Sequence, residues 1–246
     1  MNDATRETVR EHWAALLGCA PATVFTAGPS VVPTTSEAVE VFSYEGGAVV
    51  SAPPSLAGAL RSVLAARSIP TTATEARALA EAAVDRCAVG GGPTVTEVLG
   101  PQFVGYCDDS TFTPVHEEST AVELVDPASL ASLRAATPAA EWDRSGVRTD
   151  DDDPTVAVAR DGRPVAAAQY AVEHETAGIA VVSHPDHRGA GNATLAVSQA
   201  TAHALNAGLV AEYRTLEAWS SSVALAERLG FERVGRSLLV RLDGVE

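Results

Sequence analysis

Hydrophobic and polar positions along the first 115 residues predict a mixture of helices and short strands. Residues 3–17 carry their apolar side chains on one helical stripe, and Gly18 follows as a stop signal. The β-rich segments on either side of Glu45-Gly46-Gly47 predict a hairpin. The elements predicted here are a helix over 3–17, strands over 38–44 and 48–52, helices over 54–67 and 74–87, and strands over 95–99 and 103–107.

From residue 121 onward the pattern predicts a longer and more regular series of elements. Asp126-Pro127 supplies an N-cap followed by proline at the first helical position, and Asp161-Gly162-Arg163-Pro164 predicts a hairpin turn. The predicted strands cover 121–125, 155–160, 165–173, 178–183, 209–214, 231–234 and 237–242, and the predicted helices cover 127–136, 139–144, 193–207 and 222–229. The sequence therefore predicts a mixed α/β chain, divided into a smaller α/β domain over 1–115 and a second domain over 116–246.

Composition narrows the possible functions. The 246 residues carry a formal charge of -15, with 32 acidic side chains against 17 basic ones, all of them arginine. This balance predicts a high-salt cytoplasm and argues against nucleic-acid binding, which needs a clustered basic face. We expect a cytoplasmic protein without a membrane span, because neither a signal peptide nor a long apolar run is present. The three cysteines are scattered, so they predict no metal site. The aspartate run at 150–153 is interpreted as a solvated loop and not as a metal site.

A glycine-bearing loop between a predicted strand and a predicted helix is the strongest candidate site. The segment 184–193 reads His-Pro-Asp-His-Arg-Gly-Ala-Gly-Asn-Ala and follows the apolar strand 178–183. Backbone N–H groups in such a loop and the positive end of a helix dipole together bind anions. Gly189 and Gly191 would let the backbone approach phosphate oxygens. A tight turn without a ligand is the alternative interpretation of these residues.

Two segments at a coherent spacing extend this interpretation. The loop 184–191 is followed by one helix, one strand and then Ser-Val-Ala-Leu-Ala-Glu-Arg-Leu-Gly-Phe at 222–231. This combination resembles the GNAT superfamily of acyl-CoA-dependent N-acyltransferases over about residues 120–246. The N-terminal half is similar to the degenerate GNAT-like domain that precedes the active one in larger members. The resemblance implies the GNAT fold over 116–246.

The resemblance also implies a function and a set of site residues. Acetyl-CoA would be the donor, and a primary amine of a small molecule or peptide would attack its thioester directly, with catalysis mainly by positioning. The backbone of Val181 and Ser183, with Val182 between them, would bind the pantetheine arm. The implied pyrophosphate loop consists of Arg188, Gly189, Ala190, Gly191, Asn192 and Ala193. Ser222 matches a polar position near the pantetheine and is also a catalytic candidate.

The proton chemistry is less clear from the sequence. Glu173, beside His174 and Glu175, is the candidate base, since alternation with Ala171 would turn it inward; an exposed turn is the alternative. Ala226 stands where many GNAT members carry a tyrosine acid, which leaves an acyl-CoA-binding or regulatory protein as the alternative function. A dinucleotide-binding fold, with Glu212 as its ribose-binding acid, is a weaker alternative. Acceptor, acyl-chain preference and the choice between monomer and homodimer stay open.

Overall fold

A computed structural model describes residues 1–87, 92–117 and 121–244. The chain divides into two compact units, each made of three segments. The first unit comprises Met1–Thr8, Tyr106–Arg214 and Ala224–Glu232, and the second comprises Val9–Gly105, Thr215–Val223 and Arg233–Glu246. These units alternate along the chain, whereas the sequence analysis divides it once, between residues 115 and 116. That single division stays a prediction.

Helices and strands follow one another in mixed order. The helices are α1 (Asp3–Leu17), α2 (Pro54–Leu64), α3 (Ala73–Cys87), α4 (Ala131–Ala136), α5 (Ala139–Ser145), α6 (Asn192–Asn206) and α7 (Ser220–Arg228). The strands are β1 (Gly28–Pro33), β2 (Ala38–Tyr44), β3 (Gly47–Ala52), β4 (Thr94–Cys107), β5 (Ala121–Val125), β6 (Thr155–Arg160), β7 (Arg163–Glu173), β8 (Thr176–Ser183), β9 (Val210–Leu216) and β10 (Glu232–Asp243). Short 3-10 turns occupy Pro21–Thr23, Pro127–Leu130 and Pro185–His187. The predicted mixed α/β class is confirmed.

In the first unit, five strands lie side by side in the order β5-β6-β7-β8-β9. The pairs from β5 to β8 are antiparallel, and β9 is parallel to β8. Ala167 of β7 packs in a cluster with residues of α4 and α5. Tyr170, three residues later and therefore on the opposite face, has its hydroxyl 2.7 Å from Nδ1 of His203 in α6. Because helices cover both faces, β7 is a nearly continuous apolar run and not an alternating one.

The second unit is built around the strand order β1-β3-β2-β10-β4. Here β1 runs parallel to β3, whereas β2 is antiparallel to both β3 and β10. Helices α2 and α3 bury their apolar faces against this sheet in one hydrophobic cluster. Trp13 of α1 stacks on Phe42 of β2 with ring centroids 3.7 Å apart. Such a pair of buried aromatic rings contributes to the core by area and by stacking.

Two predicted strand breaks are wrong, and in both cases a glycine is responsible. The predicted strands 231–234 and 237–242 form the single strand β10, in which a Cβ on Gly235 would lie 2.5 Å from the Phe42 ring. Likewise, 95–99 and 103–107 form the single strand β4, in which a Cβ on Gly100 would lie 2.7 Å from the Ser237 carbonyl oxygen. Both glycines permit close approach of a neighbour and do not end a strand.

The structure also adds one strand and shortens one helix. Strand β1 was not predicted, because its sequence Gly-Pro-Ser-Val-Val-Pro reads as a loop and only its parallel partner β3 makes it a strand. Helix α2 ends at Leu64, although a helix to residue 67 was predicted. Across the described residues, none of the helices is long and apolar enough to cross a bilayer. The same residues contain no cluster of three or more side chains suited to a metal ion.

Candidate functional site

Strands β8 and β9 separate soon after they begin to pair. Their parallel ladder consists of Thr176, Ala177 and Gly178 opposite Val210, Ala211 and Glu212. Strand β8 continues for five more residues to Ser183 and stays paired with β7 throughout. That extension corresponds to about 16 Å of extended backbone. One edge of β8 therefore faces an opening within the first unit.

Two hydrogen bonds show which backbone groups face this opening. The His184 N–H donates to the Val165 carbonyl on the β7 side at 2.8 Å, whereas the Glu175 carbonyl accepts from Val210 of β9 at 3.1 Å. Since successive residues of a strand direct their backbone groups to alternate sides, the odd-numbered residues face the opening. Val181 and Ser183 thus direct N–H and C=O groups into it. Val182 faces β7 with its backbone, and its buried side chain packs in the cluster with Trp142.

The loop after β8 leads directly into the N-terminus of α6. Gly189 and Gly191 have φ angles of +77° and +80°, a region that side chains disfavour. A Cβ on either glycine would meet no atom within 4 Å, so open space lies next to both. Gly191 is the N-cap residue of α6 and provides no side-chain hydrogen bond to the first turn. Because the described residues provide no side-chain cap from Gly191, the first turn of α6 suits an anion.

Asn192 holds this loop in place and does not point away from it. Its side chain is buried, and its Nδ2 donates to the His187 carbonyl at 3.1 Å. Its Oδ1 accepts from Nε and Nη2 of Arg160 at 3.2 Å each. Arg160 also donates to Glu117 at 2.9 Å. These bonds link the start of α6 to β6 and leave the backbone of the loop exposed.

The side chain of Arg188 is engaged with helix α5. Its Nη2 lies 2.5 Å from Oε2 of Glu141, and both side chains are about half exposed. The guanidinium is therefore paired with a carboxylate beside the loop and close to any anion bound there. Ala190 is exposed and Ala193 lies in the first turn of α6. Four of the six predicted loop residues, at 188–191, are thus exposed, and Asn192 supports the loop.

Glu173 lies at the exposed end of the β7–β8 hairpin. Glu173 pairs with Thr176 of β8, which lies two residues before Gly178, the last β8 residue paired with β9. Its side chain is 53% exposed. His174 and Glu175 form the turn with positive φ angles, and His174 Nδ1 lies 3.8 Å from Oε1 of Glu173. The structure does not bring Glu173 to the cofactor loop, which begins at the other end of β8. Its role as a base stays a prediction.

Ser222 lies in the second unit, in the first turn of α7. Its Oγ accepts a hydrogen bond of 3.0 Å from Thr215 Oγ1, and it is partly buried. Helix α7 begins at Ser220, two residues earlier than predicted. Ala226, on the same helix, is fully buried. The roles assigned to Ser222 stay predictions.

A buried carboxylate at the divergence of β8 and β9 was missed as a site for proton chemistry. Glu212 is only 2% exposed, and its Oε1 accepts a 2.6 Å hydrogen bond from the Tyr106 hydroxyl. A ribose-binding acid would stand free at the end of its strand, whereas Glu212 is the third residue of β9. No local signal in the sequence links Tyr106 to Glu212. The one hint is a charged residue between the apolar Ala211 and Tyr213.

Comparisons with known proteins find a matching family model and similar folds. Residues 121–231 match the model of the acetyltransferase (GNAT) family. A solved putative acetyltransferase of the GNAT family from Novosphingobium aromaticivorans is 22% identical, with a TM-score of 0.50 over 63% of this chain and 69% of that one. A GCN5-related N-acetyltransferase from Kribbella flavida is also 22% identical, with a TM-score of 0.45 over 65% and 63%. At 22% identity, the likeness to the first of these structures shows the fold alone. No curated protein matches the chain.

Proposed function

We propose that the chain transfers an acetyl group from acetyl-CoA to a primary amine of a small molecule or peptide, because residues 121–231 match the acetyltransferase (GNAT) family model. One observation carries this proposal: helix α6, which begins without a side-chain cap after two glycines of positive φ, follows strand β8, and among the described residues the β8–β9 ladder ends at Gly178. That combination suits a ligand with a phosphate end and an extended, amide-containing arm.

The proposed binding mode uses mainly backbone groups. The N–H groups of residues 188–193 would hold the pyrophosphate, and the outward-facing backbone of Val181 and Ser183 would bind the pantetheine amides. Val182 would support the pantetheine site through the packing of its side chain in the cluster with Trp142. We assign Ser222 to the pantetheine arm and Glu173 to the acceptor side as hypotheses. Acetyl-CoA would supply the activated acetyl group, and the protein would hold it against the amine.

A second candidate is an acyl-CoA-binding or regulatory protein that performs no transfer. It is favoured by Ala226, which is fully buried in α7 at the position where many GNAT members carry a tyrosine. No acid from that position is available to protonate the departing thiolate. The two candidates share the cofactor loop and differ only in turnover. They therefore require separate measurements of binding and of transfer.

The binding test is isothermal titration with acetyl-CoA of the wild type, Gly191→Ala and Gly208→Ala. Gly191 and Gly208 lie at opposite ends of α6, share a φ of +80°, and have no atom within 4 Å of an added Cβ. Both substitutions therefore carry the same backbone penalty of about 1–2 kcal/mol. Only Gly191→Ala puts a methyl group at the proposed phosphate site. We expect a loss of affinity of about tenfold or more for that variant alone.

Two results would contradict this assignment. If a folded wild type does not bind acetyl-CoA, no acyl-CoA site exists; if both glycine variants weaken binding equally, the effect arises from α6 stability and not from the loop. The transfer test measures free CoA released with benzylamine, putrescine, glucosamine and a trialanine peptide. Binding without release from any of these would favour the regulatory protein.

A further inference from the structure

The carboxylate of Glu212 occupies a place where a charge is costly unless it is compensated. It is 2% exposed inside the first unit, and Tyr106, whose hydroxyl donates to it, is fully buried. Arg214 Nε lies 3.5 Å from its other oxygen, Oε2. A buried carboxylate with such partners is retained at a substantial desolvation cost, and groups of this kind concentrate at functional sites.

Glu212 belongs to the last pair of the β8–β9 ladder. It stands opposite Gly178, and Gly178 in turn stands opposite Ala171 of β7. Directly opposed residues of neighbouring strands point to the same face. From Ser183, next to the loop, back to Gly178 the free edge of β8 is about 16 Å long. If the phosphate end of acetyl-CoA binds the loop, the pantetheine arm runs along this edge from Ser183 towards Gly178. Its thioester end would then lie near Glu212, which pairs with Gly178.

Gly178 places no side chain beside Oε2 of this carboxylate. A Cβ on Gly178 would lie 3.6 Å from Glu212 Oε2 and 3.9 Å from the Ala171 carbonyl oxygen, with nothing closer. Ala171 itself is small and exposed. Because Gly178 has no side chain, there is space between Ala171 and Oε2 of Glu212. The Tyr106 hydroxyl binds the other oxygen, Oε1. Any larger residue at position 178 would fill that space.

We propose that Glu212 accepts the proton of the acceptor ammonium and that Tyr106 positions its carboxylate for this step, an inference that rests on the proposed acetyl transfer. The ammonium N–H bond breaks and its proton moves to Oε2, which leaves the nitrogen a free lone pair. That lone pair forms the C–N bond to the acetyl carbon, and the C–S bond breaks. The second amine proton leaves with the sulfur, so CoA departs as the thiol. Glu212 then releases its proton to water.

Arg214 and Glu173 are the charged groups that the described strands β7 to β9 place beside this position. Arg214 compensates the carboxylate on β9, and the exposed Glu173 lies on the same face of β7, opposite Thr176. The opposing stretch of β8, from Thr176 to Ala180, contributes no titratable side chain. Glu173 is therefore the competing base within the described strands. A comparison of the two carboxylates decides between them.

The test compares Glu212→Gln, Glu173→Gln and the exposed β5 variant Glu123→Gln as a matched control. With the best acceptor of the amine panel, kcat/KM is measured from pH 6 to pH 10, and acetyl-CoA affinity is measured by titration. We expect Glu212→Gln to keep its affinity for acetyl-CoA within about twofold and to lose roughly 10²–10⁴-fold in kcat/KM at pH 7. The loss should shrink as pH approaches the pKa of the amine, because the free base then needs no acceptor for its proton.

A second variant keeps the carboxylate and blocks access to it. Gly178→Ala places a methyl group at ordinary contact distance from Oε2, so we expect normal thermal stability and acetyl-CoA binding but reduced transfer. Tyr106→Phe should shift the acidic limb of the pH profile while leaving acetyl-CoA affinity unchanged.

The inference is overturned if Glu212→Gln loses rate equally at every pH, or if only Glu173→Gln shows the pH-dependent loss. Acetyl-CoA binding without transfer by the wild type would overturn the transferase function and this inference together. Absence of acetyl-CoA binding would refute the cofactor site itself.

Discussion

Replacing Asp108 by asparagine should lower the free energy of unfolding far more than the same change at the neighbouring Asp109. Asp108 is 5% exposed, and its Oδ2 accepts hydrogen bonds from the Asn2 N–H at 2.9 Å and the Thr5 hydroxyl at 2.7 Å. Its Oδ1 accepts from the N–H and hydroxyl of Ser110. Asparagine retains one oxygen but presents an NH₂ group to the donors of Asn2 and Thr5. Asp109 is exposed and serves as the control.

The expected magnitude follows from the two bonds to Oδ2. Each hydrogen bond to a charged group contributes about 1.5 kcal/mol or more, so their loss should lower the free energy of unfolding by about 3 kcal/mol. For a chain of this size, that corresponds to a decrease in Tm of roughly 6–12 °C. Asp109→Asn should stay within about 0.5 kcal/mol of the wild type. Thermal and urea unfolding, each followed by circular dichroism, measure both values.

The effect should depend on pH in a defined direction. Burial alone would raise the pKa of Asp108, but hydrogen bonds from Ser110, Asn2 and Thr5 outweigh it and hold the pKa well below its usual range. The stabilisation is therefore present above the unfolded-state pKa of about 3.9 and is lost as pH falls towards the folded-state value. The gap between wild type and Asp108→Asn should be constant from pH 7 to 5 and shrink at pH 3. A gap that is the same at pH 3 and pH 7 would refute this reasoning.

Two further predictions concern the cofactor loop and a tight glycine. Glu141→Gln removes an exposed ion pair that contributes at most about 1 kcal/mol to stability, so Tm should fall by no more than about 4 °C. The released Arg188 should tighten acetyl-CoA binding severalfold at low salt and have no effect at high salt. Gly230→Ala would place a Cβ 1.9 Å from the Thr111 carbonyl oxygen at a φ of +92°, and we expect a loss above about 4 kcal/mol, seen as little soluble protein. Gly46→Ala, with φ of +81° and no neighbour within 4 Å, should cost only about 1–2 kcal/mol and is its control.

The elements that could be predicted from the sequence are those whose signals are local. Strand β6 was predicted with its bounds, Thr155–Arg160, because a compact apolar run ends at a strong turn sequence. Helix α6 was predicted to within one residue, since the glycines before it and Gly208 after it mark both ends. The open backbone of the loop follows from the same glycines. Neither inference requires knowledge of any residue distant in the sequence.

What could not be predicted depends on residues far apart in the sequence. Strand β1 forms only through its parallel pairing with β3, and the strands β4 and β10 continue through glycines that read as breaks. The bond between Tyr106 and Glu212 joins residues 106 positions apart. Glu173 was the candidate base because alternation with Ala171 would turn it inward, yet its side chain lies at the hairpin end and is 53% exposed. Local composition thus indicated a turn and missed the buried carboxylate.

The two halves of the candidate site differ in whether backbone groups or side chains would bind the ligand. The proposed acetyl-CoA half consists of backbone groups, so a change of side chain leaves its hydrogen-bonding groups intact. The proposed acceptor half depends on side chains, so a substitution there removes the functional group itself. Ala226 is fully buried, so a tyrosine there would have to displace packed neighbours. The proposed proton transfer is therefore assigned to the face that carries Glu212 and Tyr106, and not to α7.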